Sequence, residues 1–199
     1  MKRLRILLAS NNEHKYREIK NMFKGTDVAI FSPAQIGVSI EVNEDGKTYL
    51  ENALKKAKAF FKETGYICLA DDSGLEVSFL NNEPGIFSSR YAGEDATDED
   101  RINKVLSRLK GVPFYKRNAK FVSTMVLYGK DFSYNVSGFV NGYITFEPQG
   151  NNGFGYDPIF FIPDLRKTMA QLSLKNKNII SHRSNALKQM KTLILSKLV

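Results

Sequence analysis

The hydrophobic pattern changes period early in the chain. Leu4 to Ala9 (LRILLA) is an apolar run of strand length, and Tyr16, Ile19, Met22 and Phe23 behind it fall on one face of a helix. The change predicts a strand, a tight polar loop over Ser10, Asn11 and Asn12, and a helix start. Residues 25 to 47 are polar and turn-prone and end in Glu41, Glu44, Asp45 and Gly46. Thr48 and Glu51 match the T-x-x-E capping box; Leu50, Ala53, Leu54, Ala57 and Phe61 form the apolar stripe that follows, and Gly65 ends the helix. Ile67 to Ala70 predicts a short buried strand delivering Asp71, Asp72, Ser73 and Gly74 at its end. Leu75 to Leu80 then alternates as a half-exposed strand. Thr97 to Lys110 reads as a helix with Ile102, Val105, Leu106 and Leu109 inward, its first turn loaded with acids as the macrodipole prefers. Ala119 to Tyr128 and Phe132 to Phe146 predict antiparallel strands joined across Gly129-Lys130-Asp131. Ile159 to Ile162 is a further strand, and a final helix carries Leu187, Met190, Ile194 and Leu198 on one face.

Composition narrows the class. With 199 residues, 42% hydrophobic and 25% charged, the chain suits one soluble globular domain, taken as residues 1–199. No apolar run approaches the roughly 20 residues of a membrane span, and MKRLRILLAS lacks the length and cleavage pattern of a signal peptide. The single Cys68 excludes an internal disulfide and, in its apolar run, suggests a packed thiol in a reducing compartment, hence the cytoplasm. The net charge of +8 is uneven: Leu165 to Val199 holds eight Lys or Arg and no acid, whereas EDATDED, 94 to 100, holds five acids. The basic end attracts phosphates, although a solvated helix face explains most of those lysines.

Chemistry concentrates in four places. Asp71 and Asp72 stand side by side, an arrangement that costs repulsion and desolvation unless Mg²⁺ or a Lys or Arg neutralises it; an Asp-rich turn is the plainer reading. Ser10 to Lys15 offers capping side chains, free helix N–H groups and a cation in the first turn, a corner suited to polyphosphate, without the Gly-rich Walker pattern. Glu44 is preferred over Glu51 as a functional acid, since capping explains Glu51. The loop QGNNGFGYDPIFFIP lets backbone approach a ligand at its glycines and offers the ring faces of Phe154 and Tyr156 and the acceptor Asp157, as a planar base requires. Lys177, Ser181, His182 and Arg183 add donors near a helix start, and neither histidine has Cys or His neighbours at zinc spacing.

Taken in order, ASNNEHKYREI, EDGKTYLENALKKA, ADDSGLEV, PGIFSSRYAGEDAT, NGFGYDPIFF and ISHRSNAL resemble the Ham1 or inosine triphosphate pyrophosphatase family, the non-canonical purine NTP pyrophosphatases, from about residue 4 to 190. Asn152 departs from it, standing where bacterial relatives commonly have a small residue or Gly. The resemblance implies a three-layer α/β fold with a long mixed β-sheet, two lobes and a central cleft, usually as a homodimer. It also implies hydrolysis of ITP/dITP and XTP/dXTP to monophosphate and diphosphate. Ser10, Asn11, Asn12, Glu13, His14 and Lys15 match its triphosphate-binding segment, Glu44 and Asp72 its Mg²⁺ ligands, with Asp72 also the proton acceptor and Ser73 a substrate contact. Phe154, Gly155, Tyr156, Asp157, Lys177, His182 and Arg183 match its base and phosphate contacts. In this scheme Lys15 and Mg²⁺ supply charge to the reaction. Two other readings stay open: a related pyrophosphatase acting on pyrimidine or modified nucleotides, and a basic, non-catalytic nucleic-acid-binding protein, which the acids at the likeliest ligand corners disfavour.

Overall fold

Ile6, Leu7 and Leu8 are apolar in succession, so a strand built from them must be covered on both faces. In the computed structural model of the protein, β1 (Leu4–Leu8) is such a strand, paired in parallel with β2 (Val28–Phe31) on one side and β3 (Ile67–Val77) on the other. The structure describes residues 3–199; Met1 and Lys2, which open the stretch inspected for a leader, lie outside the described residues. β4 (Asn118–Gly129) and β5 (Phe132–Ile144) flank the turn Lys130–Asp131, and the short β6 (Phe160–Ile162) and β7 (Lys167–Thr168) follow in antiparallel pairing. The result is a mixed seven-stranded sheet in the order β2-β1-β3-β4-β5-β6-β7. No helix among the described residues is long and apolar enough to cross a membrane.

Among the described residues, five α-helices accompany the sheet. α1 (Glu13–Met22) starts where the Asn12 side chain accepts from the Lys15 amide at 3.0 Å. α2 (Tyr49–Thr64) is capped by Thr48, which accepts from Glu51 N at 3.1 Å, and it stops at Gly65 in the left-handed conformation. Glu51 reaches back to the amide of Lys47, one residue before the cap, so only half of the expected box is made. Leu50, expected in the apolar stripe, is exposed, and Phe60 is buried in that face instead. α3 (Asp98–Arg108) carries the full reciprocal box between Thr97 and Asp100; α4 (Leu174–Ile180) and α5 (His182–Lys197) end the chain.

Four expectations need correction. The polar stretch 25 to 47 contains β2 and a short 3-10 turn at Pro33–Ile36, because the four residues of VAIF are apolar enough to pair beside β1 although they are flanked by turn-formers. Asp71 to Gly74 is no loop at a strand end: β3 runs through it, since buried cations satisfy the carboxylates and the ladder need not break. The strand ends at Val77, and Ser78–Leu80 turns away as a 3-10 helix with Phe79 exposed. Lys177 lies within α4, a helix too short for periodicity to reveal.

The chain divides into two compact units. The first comprises the chain through Asp72, Ser123–Gly138 and Arg183–Val199. Alternation along β1 and β3 sends Ile6, Leu8 and Leu69 to one face, packed with Ile19 of α1 and Leu187 and Met190 of α5. Leu7, Cys68 and Ala70 go to the other face, packed with Ala53, Ala57 and Phe60 of α2. Helix, sheet and helix therefore form three layers in this unit. Burial pushes the Cys68 thiol up to about 12, so it packs as an uncharged group.

The second unit, Ser73–Val122 with Phe139–His182, is built on Leu75, Val77, Ile102, Val105, Leu109 and Phe160. Its irregular joints are pinned by the buried Arg117, which donates to the carbonyls of Val112 at 2.9 Å, Leu109 at 2.8 Å and Thr145 at 2.7 Å. Arg117→Met would keep the stem and strand three buried acceptors. The expected loss is on the order of 3 kcal/mol of stability in urea unfolding, and an unchanged midpoint would contradict this role.

Candidate active site

Because side chains alternate along β3, the neighbouring acids Asp71 and Asp72 project to opposite faces of the strand and meet different partners. Asp71 is fully buried. Its Oδ1 accepts from Ser123 Oγ at 2.5 Å, and its Oδ2 faces Lys15 Nζ at 2.9 Å and Arg183 Nε at 3.1 Å. Burial alone would raise the Asp71 pKa, but Lys15 and Arg183 hold it far below the usual carboxylate range. Arg183 is equally buried and also pairs through Nη1 with Glu18 of α1 at 2.5 Å; the two carboxylates outweigh desolvation and keep the guanidinium charged. For Lys15 the balance tips the other way: desolvation outweighs Asp71, aided by Lys56 and Arg183, and the pKa is lowered.

Asp72 faces α2. Its Oδ2 accepts from Asn52 Nδ2 at 3.2 Å and its Oδ1 lies 3.3 Å from Lys56 Nζ. The same ammonium is 3.0 Å from Glu44 Oε1 and 3.0 Å from the carbonyl of Asp71, which also accepts from Lys15 Nζ at 3.2 Å. Three oxygens thus converge on one cationic position. Burial, opposed by Lys56, raises the Asp72 pKa; at Glu44 the Lys56 charge overcomes burial and lowers it. The same partners raise Lys56 against its own desolvation. Hard oxygen donors in this number fit a Mg²⁺ ion that also takes phosphate oxygens and water. Among the described residues no group of three or more His, Cys, Asp or Glu is placed to hold a metal ion.

In the second unit the glycine-dense loop folds around Asp157, which is buried. Its Oδ2 accepts from the Phe154 amide at 3.0 Å and from Lys177 Nζ at 2.7 Å, and Lys177 Nζ lies 4.7 Å from the centroid of the Phe154 ring. Gly153 is required there: its φ is +83°, and a Cβ would come within 2.1 Å of that same oxygen. Tyr156 is buried with its hydroxyl on Ser88 O at 2.9 Å, a packing role, and His182 stacks on Phe121 at 4.8 Å between centroids.

The first unit therefore assembles Lys15, Glu44, Asp71, Asp72 and Arg183, and the second assembles Phe154, Gly155, Asp157 and Lys177. Ser10 is half-buried, Asn11, Asn12, Glu13 and His14 are exposed around the start of α1, and Ser73 lies half-buried within β3. Arg183 was expected to present donors to a base; its Nε and Nη1 are engaged by Asp71 and Glu18. Glu18, Asn52, Lys56 and Ser123 were not singled out from the sequence. A signal existed for three of them: Asn52 and Lys56 are polar residues four apart on the buried face of α2, and Glu18 lies one turn from Lys15, beside the buried Ile19.

Asp71 carries a pH signature. Its folded pKa is depressed, so its contribution is complete above the pH where an unfolded Asp ionises, about 4, and is lost as pH falls below that toward the folded value. Asp71→Asn should be less stable than the wild type by about 3 to 5 kcal/mol near neutrality, with the gap narrowing below pH ~4. Urea titrations across that range check this, and a pH-independent gap would contradict it.

Comparison with known proteins identifies the family of the chain. A protein-family model described as the Ham1 family matches residues 6–193. The dITP/XTP pyrophosphatase of Thermoanaerobacter pseudethanolicus is 44% identical over 195 residues, covering 98% of each chain; that of Bacillus subtilis is 43% identical over 189 residues, covering 94% of this chain and 96% of its own. Among solved structures, the Staphylococcus aureus Ham1 protein superposes with a TM-score of 0.87 at 42% identity, and a HAM1 protein from Coxiella burnetii with 0.89 at 41%. Each alignment covers 97% of this chain and 99% of the other. The chain belongs to the Ham1 family.

Proposed function

We propose that this protein hydrolyses non-canonical purine nucleoside triphosphates of the dITP and XTP type to the monophosphate and diphosphate. The observation that carries the chemistry is the convergence of Glu44, Asp72 and the Asp71 carbonyl on one cationic position, with Lys15 beside it. The substrate class is supported by relatives named dITP/XTP pyrophosphatase that align over nearly the whole chain.

Hydrolysis at the α-phosphorus needs a water in line with the departing diphosphate, a base for its proton and charge against the phosphates. Asp72 takes the proton: burial favours its protonated form, and Asn52 fixes its direction. Glu44 and Asp72 would hold Mg²⁺, which when bound neutralises phosphate charge and acidifies water. Lys15 and Lys56 meet phosphate oxygens, Lys15 from the first turn of α1, where the positive end of the helix dipole adds to its charge. Ser73 contacts the substrate beside them.

Base recognition falls to the second unit. A 6-oxo purine presents an acceptor at C6 and a donor at N1, and adenine presents the reverse. Lys177 donates to the 6-oxo group, Asp157 or a nearby carbonyl accepts from N1–H, and Phe154 stacks on the ring. Gly155 and Tyr156 shape that loop. His182, and Arg183 in the orientation fixed by Asp71 and Glu18, complete the substrate-binding set. We further infer a homodimer working in the cytoplasm, as the family resemblance implies.

The test is a panel of dITP, XTP, GTP and ATP with Mg²⁺, the released phosphate species being identified. Diphosphate from dITP and XTP, abolished by EDTA, is expected; orthophosphate as the first product, or turnover indifferent to EDTA, would overturn the mechanism. Reversed donor and acceptor contacts predict a preference for dITP over ATP on the order of 10² to 10⁴ in kcat/KM. Lys177→Met should erode that preference, and an undiminished ratio would release Lys177 from base reading. Asp72→Asn, nearly isosteric, should keep the fold and lose most of kcat, whereas wild-type turnover in the folded variant would remove Asp72 from the reaction.

A further inference from the structure

Asp98 opens α3 inside the acidic cluster that the macrodipole favours, yet it takes no part in the capping box. The Thr97 and Asp100 box is complete by itself: Thr97 N donates to Asp100 Oδ2 at 2.9 Å and Asp100 N to Thr97 Oγ1 at 3.1 Å. The Asp98 carboxylate is spent elsewhere. Its Oδ1 pairs with Arg101 Nη2 at 2.5 Å, and its Oδ2 accepts from the amide of Gly155 at 2.6 Å, 57 residues away in sequence. Arg101 is itself fixed by the carbonyls of Ser89 at 2.8 Å and Ala96 at 2.5 Å.

Gly155 is a loop residue held from outside the loop. It sits at φ +61° with no side chain to anchor it, immediately after Phe154 and two residues before Asp157. From the other side Asp157 grips the Phe154 amide and Lys177. Between them Asp98 and Asp157 hold the amides of two successive residues, on either side of the Cα that carries the Phe154 ring. A charge-assisted bond of this length restrains a glycine that would otherwise sample many conformations.

We propose that Asp98 is a specificity-determining positioning residue, which sets the Gly155 amide and through it the Phe154 face and the Lys177–Asp157 pair offered to the base. The inference rests on the base-reading role given above to Phe154, Lys177 and Asp157. The phosphate chemistry of the first unit is not asked to change.

The test compares Asp98→Ala and Asp98→Asn with the wild type in dITP kinetics, and uses inorganic tripolyphosphate, which has no base, as a competitive inhibitor. Asp98→Ala should raise KM for dITP about tenfold with kcat within about twofold of the wild type, while the inhibition constant for tripolyphosphate stays unchanged. Asp98→Asn keeps an oxygen acceptor and should recover most of the KM; if the Ala variant does not fold, a rise of about threefold in the Asn variant alone, again without movement of the tripolyphosphate constant, supports the proposal. An unmoved KM in both variants overturns it, as does a parallel rise for dITP and tripolyphosphate, which would mark a general structural defect. Failure of the functional reading is distinguishable, because it appears in the wild type as absent dITP turnover.

Discussion

A carboxylate with no exposed surface in the middle of a strand must be neutralised or it does not stay charged, and Asp71 is that carboxylate. Lys15 from α1, Arg183 from α5 and Ser123 from β4 all close on it. The first unit is therefore tied by one buried ion cluster as well as by its apolar layers, and Glu18 extends the cluster to keep Arg183 compensated. Taking these charges out of water is costly, and hydrophobic residues of similar volume would hold the layers together as well or better. What the cluster provides that apolar packing would not is a fixed lysine: Lys15 is held at the start of α1 with its ammonium on both the side chain and the carbonyl of Asp71.

The alternation of β3 turns this structural device into chemistry. One residue further along, the strand presents Asp72 on its other face, where Lys56 and Asn52 of α2 and the neighbouring Glu44 define a second cluster, with two carboxylates facing one ammonium. Two acids adjacent in sequence are shifted in opposite directions: Lys15 and Arg183 hold the Asp71 pKa below the ordinary carboxylate range, whereas burial raises that of Asp72. The ammonium of Lys56 rests among oxygens that a divalent ion would also seek, and its long stem could follow phosphate oxygens instead.

Much of this was legible beforehand because it depends on local rules. The strand to helix switch at Ser10–Asn12, the caps at Asn12 and Thr48, and the break at Gly129 to Asp131 are signals a few residues long, and each stands where the sequence places it. The motifs also located Lys15, Glu44, Asp72 and the Phe154 to Asp157 loop. What escaped was set by contacts distant in sequence. β3 was expected to stop at Asp71 since nothing local says that Lys15 and Arg183, 56 and 112 residues away, would neutralise it. Lys56 and Asn52 were not singled out, because their partners Glu44 and Asp72 lie outside the helix that carries them. β2 and α4 are too short for periodicity to distinguish them from loops.

The central claim is that water, directed by Asp72, attacks the α-phosphorus and releases diphosphate whole. Hydrolysis of dITP in heavy-oxygen water tests it most directly, with both products analysed by mass spectrometry after a single turnover. The account predicts one heavy oxygen in the nucleoside monophosphate and none in the diphosphate. Label in the diphosphate would place the attack at the β-phosphorus and contradict it.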